Sequence, residues 1–425
     1  MTPGARLQAA IELLDAIDTD GRPPDRLMAA YTRSRRYMGG GDRAAVRERV
    51  YGVMRRRARL DWWLRQAAPG LPVDGRRRVI ADLALTDRAE APALASLFDG
   101  GQYRAAPLES DETALFAALT GKALDDTAQP ESVRAEAPEV LWPELSALGV
   151  AELQALNRPA TVDLRVYALK ATRDEAIAAL AADGIAAHPT GLSPLGLRLD
   201  KPAALDQVKS FRAGLIEVQD EASQVAALLT DAKPGMIVVD FCAGAGGKTL
   251  ALAAAMANQG RILACDIAPE RLERMAPRIA RAGITIVETR ASNAVSETAD
   301  RVLVDAPCSG SGTWRRDPAA KWRLTRERLA ELVEIQAAIL AQAAPLVRPG
   351  GRLIYAVCSL IEAEGSAQVR RFLETHSSFA PVSAREVWPA SVGGAVPEGC
   401  GEFLRLTPAR DGTDGFFAAI LERRA

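Results

Sequence analysis

Two cysteines stand where apolar runs give way to turns. Cys308 lies in DAPCSGSG (305–312) behind the run RVLV, and Cys358 lies in RLIYAVCSL (352–360). A thiol in such a place can act as a nucleophile once a helix N-terminus or a nearby cation, here Lys248, lowers its pKa. Taken alone, either residue would pass for a small buried hydrophobe. Asp305, three residues before Cys308, adds a carboxylate to the first of these turns.

A third loop, DFCAGAGGKT (240–249), says what the thiols could serve. A phosphate-binding P-loop needs glycine where Cys242 stands, and a dinucleotide fingerprint needs glycine where Thr249 stands. What remains is a strand ending in Asp240 and a turn of Cys242, Ala243, Gly244, Ala245, Gly246, Gly247 and Lys248. Its glycines let the backbone approach a ligand closely at a helix N-terminus. About twenty residues past the turn the next strand ends in Asp266, placed to accept hydrogen bonds from both hydroxyls of a ribose, although a strand-end aspartate also caps helices. Turn and carboxylate together suit a nucleoside ligand without demanding phosphate, and S-adenosylmethionine is such a ligand. Methyl transfer then gives a thiol its task. Carbon-5 of a pyrimidine is a poor nucleophile, but thiolate addition at carbon-6 turns it into an enamine carbon that can accept a methyl group; loss of the carbon-5 proton then expels the sulfur. Asp305 can hydrogen-bond the exocyclic amine and ring nitrogen of a cytosine. The residues alone leave open which sulfur attacks.

The elements that must position these groups form a strand, turn and helix alternation from about residue 215. The runs are MIVVDFC, GRILACD, TIVET, DRVLVDAP, the long helix TRERLAELVEIQAAILAQAAPLV, GRLIYAVCS, and a final pair FLRLTP and GFFAAILERR. Such alternation predicts a doubly wound parallel sheet over 215–425, with ligands beyond the carboxyl ends of its strands. Residues 158–214 read as a small α+β module, with a strand in ATVDLRVYAL, a capped helix in TRDEAIAALAADG, and short strands at IAAHP and LGLRL. Residues 108–157, acidic and rich in proline and alanine, suit a helical connector. Residues 1–107 show only helical periodicity. Between Tyr31 and Arg65 this helical region holds eleven arginines against three acids, interleaved with tyrosine and tryptophan. That pattern suits either a solvated arginine face or a surface that tracks phosphates; Arg33, Arg35, Arg36, Arg55, Arg56 and Arg57 are the candidate RNA contacts.

A net charge of -1 with 48% hydrophobic and 25% charged residues excludes a disordered tail or a uniformly basic coat, so affinity for a polyanion has to be local. No apolar stretch is expected to span a membrane, and the first residues, with Asp15 and Asp18 in an amphipathic pattern, do not read as a signal peptide. A cytoplasmic monomer without metal is expected. The five cysteines are widely spaced and form no CxxC, which argues against zinc and disulfides. Neither His188 nor His376 sits in a motif, and neither is assigned a role.

Taken together, DFCAGAGGKT, ACD, DAPCSGSGTWRRDP with KW, and AVCSL resemble the RNA cytosine-5 methyltransferases of the Sun (Fmu) family. QDEASQ (219–224) and GTDGFFAA (412–419) fit as well. The likeness covers about 210–425. It implies a class I, Rossmann-like, S-adenosylmethionine-dependent fold, preceded by an all-α NusB-like RNA-binding domain and a small RRM-like module that begins at NRPATVDLRVYALK. It also implies that Cys358 is the nucleophile and that Cys308 assists release of the methylated base, whereas DNA cytosine methyltransferases use the earlier position. By the same resemblance Asp305 contacts the target cytosine and, like Cys242 to Lys248 and Asp266, lines the cofactor site; Lys248 shapes the active site. The chain departs from the family pattern in Val357 for threonine, Tyr167 for asparagine, and VETRASNAV where an aspartate is usual, so Asn293 is the expected adenine-side contact. The leading expectation is methylation of ribosomal RNA. Transfer RNA is the near alternative, a silent RNA-binding assembly factor the different class, and a P-loop nucleotidase is disfavoured by Cys242 and Asp266.

Overall fold

The computed structural model describes residues 1–292 and 295–424. These fall into two compact units, 1–158 with 314–325, and 159–313 with 326–425.

The first unit is helical. Its longer helices are Pro3–Thr19, Pro24–Ser34, Gly40–Arg55, Arg57–Ala67, Gly75–Leu85 and Ser110–Leu119. Their ends follow local chemistry: Thr2 and Asp74 accept hydrogen bonds from the first-turn backbone of the helices they precede. Apolar stripes converge on one core that includes Leu13, Val50, Leu60, Ile80 and Leu119. The region expected as a connector is part of this body. Leu115, Phe116 and Leu119 lie in the same core, and the buried Glu136 accepts from the amide of Ala58 at the start of the helix Arg57–Ala67. A short stretch downstream of the Cys308 turn, residues 314–325, belongs to this unit too, with Ala319 in its core.

The second unit holds two sheets. In the smaller, β1 (Asp163–Val166), β2 (Ala187–Pro189), β3 (Gly196–Leu199) and β4 (Ile216–Val218) take the order β2-β3-β1-β4, and all pairings are antiparallel. Helix Arg173–Ala182 follows β1, capped reciprocally by Thr172 and Glu175. The sequence of elements is a split β-α-β arrangement. β4 lies past the expected boundary at residue 214. A three-residue strand is too short to show a period.

The larger sheet has eight strands: β5 (Ile237–Asp240), β6 (Arg261–Asp266), β7 (Val287–Ala291), β8 (Ala299–Asp305), β9 (Val347–Val357), β10 (Phe379–Val382), β11 (Leu404–Leu406) and β12 (Phe416–Arg423). The order is β10-β12-β9-β8-β5-β6-β7, with β11 beside β12. β5 to β9 pair in parallel, as expected. The C-terminal pair does not: β12 runs antiparallel to β9, and β10 and β11 run antiparallel to β12, so the sheet is mixed. Hydrophobic runs signal a buried strand but carry no direction, so the expected parallel sheet does not extend to this edge. The chain order reverses between β5 and β8, and ligands bind at such a switch point. One expectation on length also changes. The helix Arg326–Leu346 is long and apolar enough to cross a membrane, but it turns Leu329, Leu332, Leu340 and Ala343 into the interior and packs on β8 and β9 as a core helix.

Candidate functional site

Asp240, Asp266, Asp305 and Val357 close four neighbouring parallel strands, so the loops that follow share one edge of the sheet. On the β5 side, the turn 242–248 leads into helix Gly247–Ala255. Gly246 has φ +84°, and a Cβ there would lie 2.4 Å from Met275 Cγ, so only glycine fits. Two arginines hold the carbonyls of this turn: Arg278 donates to Ala245 O, and Arg165 Nη1 donates to Gly247 O at 2.8 Å. Arg165 comes from β1 and is buried, which pulls its guanidinium down to about 10. Asp240 is also buried. Thr249 Oγ1 donates to its Oδ2 at 2.7 Å, Oδ1 has no partner among the described residues, and burial pushes this carboxyl up to about 7. Burial likewise raises the Cys242 thiol, which keeps it protonated and removes it as a nucleophile.

Asp266 Oδ2 accepts from Gly244 N and Oδ1 from Ala268 N, each at 2.9 Å, so it fastens the glycine turn to the loop that leads into the next helix. Each oxygen retains a lone pair for a ribose hydroxyl. The space above Gly244 is open: apart from its chain neighbours, no atom of the described residues lies within 4 Å of where a Cβ would be. This turn and carboxylate fit S-adenosylmethionine. Asn293 lies outside the described residues.

On the β8 and β9 side, the two thiols meet. In the parallel register Asp305 faces Ala356, so Cys308 and Cys358 leave adjacent strands side by side, with their sulfurs 3.4 Å apart. The Cys308 thiol is raised well above its ordinary value, first by its hydrogen bond with Cys358, then by burial. The backbone of the Cys308 loop is stitched to its neighbours: Gly312 N donates to Cys358 O at 3.0 Å, and Gly415 N donates to Gly312 O at 2.9 Å. A Cβ on Gly312 would sit 2.0 Å from Gly415 O, which explains the last glycine of CSGSG and the last of GTDG. Lys248 Nζ donates to Asp305 Oδ2 at 2.6 Å and lies 5.1 Å from the centre of the Phe416 ring, joining the glycine turn to the thiol end. That ion pair commits Lys248 to Asp305. Val357 and Tyr167, the two departures in sequence, are both buried in the core.

The arginine-rich segment resolves differently. Arg35 pairs with Glu12, Arg56 with the buried Asp82, and Arg57 with Asp18, while Arg55 donates to Arg315 O and lies over the Tyr51 ring. Four of the six candidate RNA contacts therefore have internal partners, and for Arg56 that partner is a buried acid that needs a counter-ion. Arg33 and Arg36 line an open cavity of about 390 Å³ with Arg43, Ala29 and Thr32. Residues that sequence reasoning missed are Arg165, Arg278, Gln336 and Glu364. Arg278, Gln336 and Glu364 sit in no quoted motif, Arg165 lies in NRPATVDLRVYALK without a signal for this role, and each acts across a tertiary contact.

A glycine turn at the switch point with an acid closing the next strand defines the class: a Rossmann-like, S-adenosylmethionine-dependent methyltransferase. The family described as 16S rRNA methyltransferase RsmB/F matches residues 227–422, and the one described as Methyltr_RsmF/B-like, ferredoxin-like domain, matches 142–206. The ribosomal RNA small subunit methyltransferase B of Sodalis glossinidius is 30% identical over 400 residues, covering 89% of both chains. The chain belongs to this RsmB/F family. A probable ribosomal RNA small subunit methyltransferase B of Synechocystis is 35% identical over 287 residues, which span 65% of this chain and 64% of that one. The crystal structure of PH0851 has a TM-score of 0.78 at 27% identity, covering 100% of this chain and 99% of its own.

Proposed function

We propose that the protein methylates carbon-5 of a cytosine in ribosomal RNA through a covalent adduct on Cys358. The observation that carries this reading is the contact of two thiols, 3.4 Å apart, at the strand edge shared with the glycine turn. One thiol alone would suffice for addition; two suit addition and release.

The turn 242–248 and Asp266 hold the cofactor, by backbone approach and by ribose hydrogen bonds respectively. S-adenosylmethionine, when bound, supplies an electrophilic methyl group. Asp305 hydrogen-bonds the exocyclic amine and ring nitrogen of the cytosine, and Lys248 fixes that carboxylate. Cys358 Sγ adds to carbon-6, which makes carbon-5 nucleophilic. Cys308 stands beside the adduct and assists its breakdown, in which the carbon-5 proton passes to a base, water included, and the carbon-6–sulfur bond breaks to return Cys358 as the thiolate. The target base must come from a loop or leave its stack to reach this edge. The RsmB/F family match and the methyltransferase B relatives favour ribosomal over transfer RNA.

The test uses purified protein, ribosomal RNA and labelled S-adenosylmethionine. Cys358→Ala should bind the cofactor normally and transfer nothing. Cys308→Ala should accumulate an RNA-linked protein on a denaturing gel. Residual turnover in the first variant, or no linked band in the second, would overturn the division of roles.

A further inference from the structure

A buried acid ties the two thiol loops together. Glu364 ends the short turn Glu362–Glu364 after β9, and its side chain is inaccessible to solvent. Oε1 accepts from Ser309 N at 2.8 Å and Gln336 Nε2 at 3.0 Å. Oε2 accepts from Ser359 Oγ at 2.6 Å and from Ser309 Oγ. Three of these four donors belong to the residues that directly follow Cys308 and Cys358 in the chain. The fourth, Gln336, also donates to Pro307 O at 3.0 Å, just before Cys308, and its Oε1 accepts from Tyr355 Oη. Ser311 completes the stitch: its Oγ lies 3.0 Å from Ser359 Oγ and accepts from Leu360 N.

All four donors to the carboxylate are neutral. A buried carboxylate without a countercharge is costly, and an apolar residue of similar size would serve packing better. The cost is understandable if the carboxylate fixes something that packing cannot, and what its donors share is adjacency to the two sulfurs. We propose that Glu364 is a positioning residue, whose carboxylate clamps Ser309 to Ser359 and thereby holds Cys308 and Cys358 in contact. Its charge acts on the same group: after the Cys358 hydrogen bond and burial, it also opposes ionisation of Cys308. The consequence for methyl transfer rests on the function proposed above; the positioning does not.

The experiment therefore measures the sulfurs directly, without RNA. Diamide oxidises two adjacent thiols to a disulfide and takes up the two hydrogens they lose, so its rate reports how closely the sulfurs are held. Peptide mass spectrometry distinguishes a Cys308–Cys358 link from oxidation elsewhere. The wild-type protein should form this disulfide readily. Glu364→Ala should form it more slowly by up to about a hundredfold, since displacement of a reacting atom by about an ångström carries penalties of that order. Its S-adenosylmethionine affinity should be unchanged, and with RNA it should lose kcat rather than KM. Glu364→Gln should restore a rate close to wild type, because the amide oxygen can take the Ser309 and Gln336 N–H groups while the serine hydroxyls turn. Should Glu364→Ala fail to fold, the double variant Ser309→Ala/Ser359→Ala removes two of the four donors and should slow the disulfide similarly. An unchanged disulfide rate in folded Glu364→Ala, or in the serine pair, overturns the clamp. Normal disulfide formation and clamp behaviour without any RNA methylation would instead sink the proposed function and leave the clamp standing.

Discussion

Buried acids of the helical unit and those at the loop edge of the large sheet are satisfied in opposite ways. In the helical unit they are matched by cations: Asp61 by Arg78 at 2.6 Å, Asp82 by Arg49 and Arg56, Glu136 by Arg59 at 2.8 Å. At the loop edge of the large sheet, neutral groups take that place. Glu364 is held by serines and a glutamine, Asp240 by Thr249, and Asp266 by backbone amides. Paired charges cancel and fix helix against helix. Acids held by neutral donors keep their charge or their proton available, which costs stability and is found where chemistry is done. The contrast separates structural from functional charge within one chain, and it can be broken at either end.

The largest effect is expected in the helical unit. Arg78 is buried and grips Asp61 with two hydrogen bonds, at 2.6 and 3.2 Å, while also reaching Asp18. Arg78→Met leaves the Asp61 carboxylate with only the longer contact to Arg57, at 3.7 Å. Breaking a buried pair from one side should cost about 3–5 kcal/mol, read in denaturant unfolding. Replacing both partners, Arg78→Met with Asp61→Leu, should recover most of it, because two apolar side chains of similar volume need no countercharge. If the double variant were as unstable as the single one, the pair would be doing something beyond charge cancellation.

The next effect tests the opposite regime. Asp240 ionises only near pH 7 in the folded protein, against an ordinary 3.8, because it is buried with one hydroxyl partner. Asp305 and Asp266 nearby oppose its ionisation and Lys248 favours it. The folded state therefore binds the proton more tightly than the unfolded chain. Its contribution to stability is fully present below pH 3.8 and is lost as pH rises toward 7. Asp240→Asn, which cannot ionise, should remove this part of the slope, so that the variant gains on the wild type between about pH 4 and 7. The check is the midpoint of unfolding across that range. A constant difference would mean that Asp240 is ionised throughout.

The contrast also explains what could be read from sequence. Asp266, Asp305, Cys308 and Cys358 were legible because each stands within a few residues of the end of an apolar run, so strand and loop identify it together. The glycine turn was legible because Gly246 needs a positive φ that few residues adopt. Glu364 was not, because its partners come from two other segments, brought together by the parallel register of β8 and β9. The direction of β12 was hidden for the same reason: Phe417 opposite Val357 is a fact of pairing, not of periodicity. The arginines show the limit most clearly. Their number was visible in sequence; which of them face Asp18, Asp61 and Asp82 depends on helix packing.

That limit yields the smallest and most selective prediction. Arg33, at the end of the helix Pro24–Ser34, and Arg36, just beyond it, line the open cavity with Arg43. Tyr37 next to them is 58% exposed and lies 6.1 Å from the ring of Tyr103, itself 67% exposed, so flat aromatic surface adjoins the positive charge. Arginine beside exposed aromatic rings suits a nucleic-acid backbone with an unstacked base. Arg33→Ala and Arg36→Ala should each leave the unfolding midpoint unchanged, weaken RNA binding modestly, and lower the salt dependence of that binding by roughly one phosphate contact. Arg56→Ala should do the reverse, costing stability through Asp82 while changing the salt slope little, since its guanidinium is already occupied. Equal salt slopes for all three variants would mean that the internal pairs open when RNA binds, and the division between structural and functional arginines would fail.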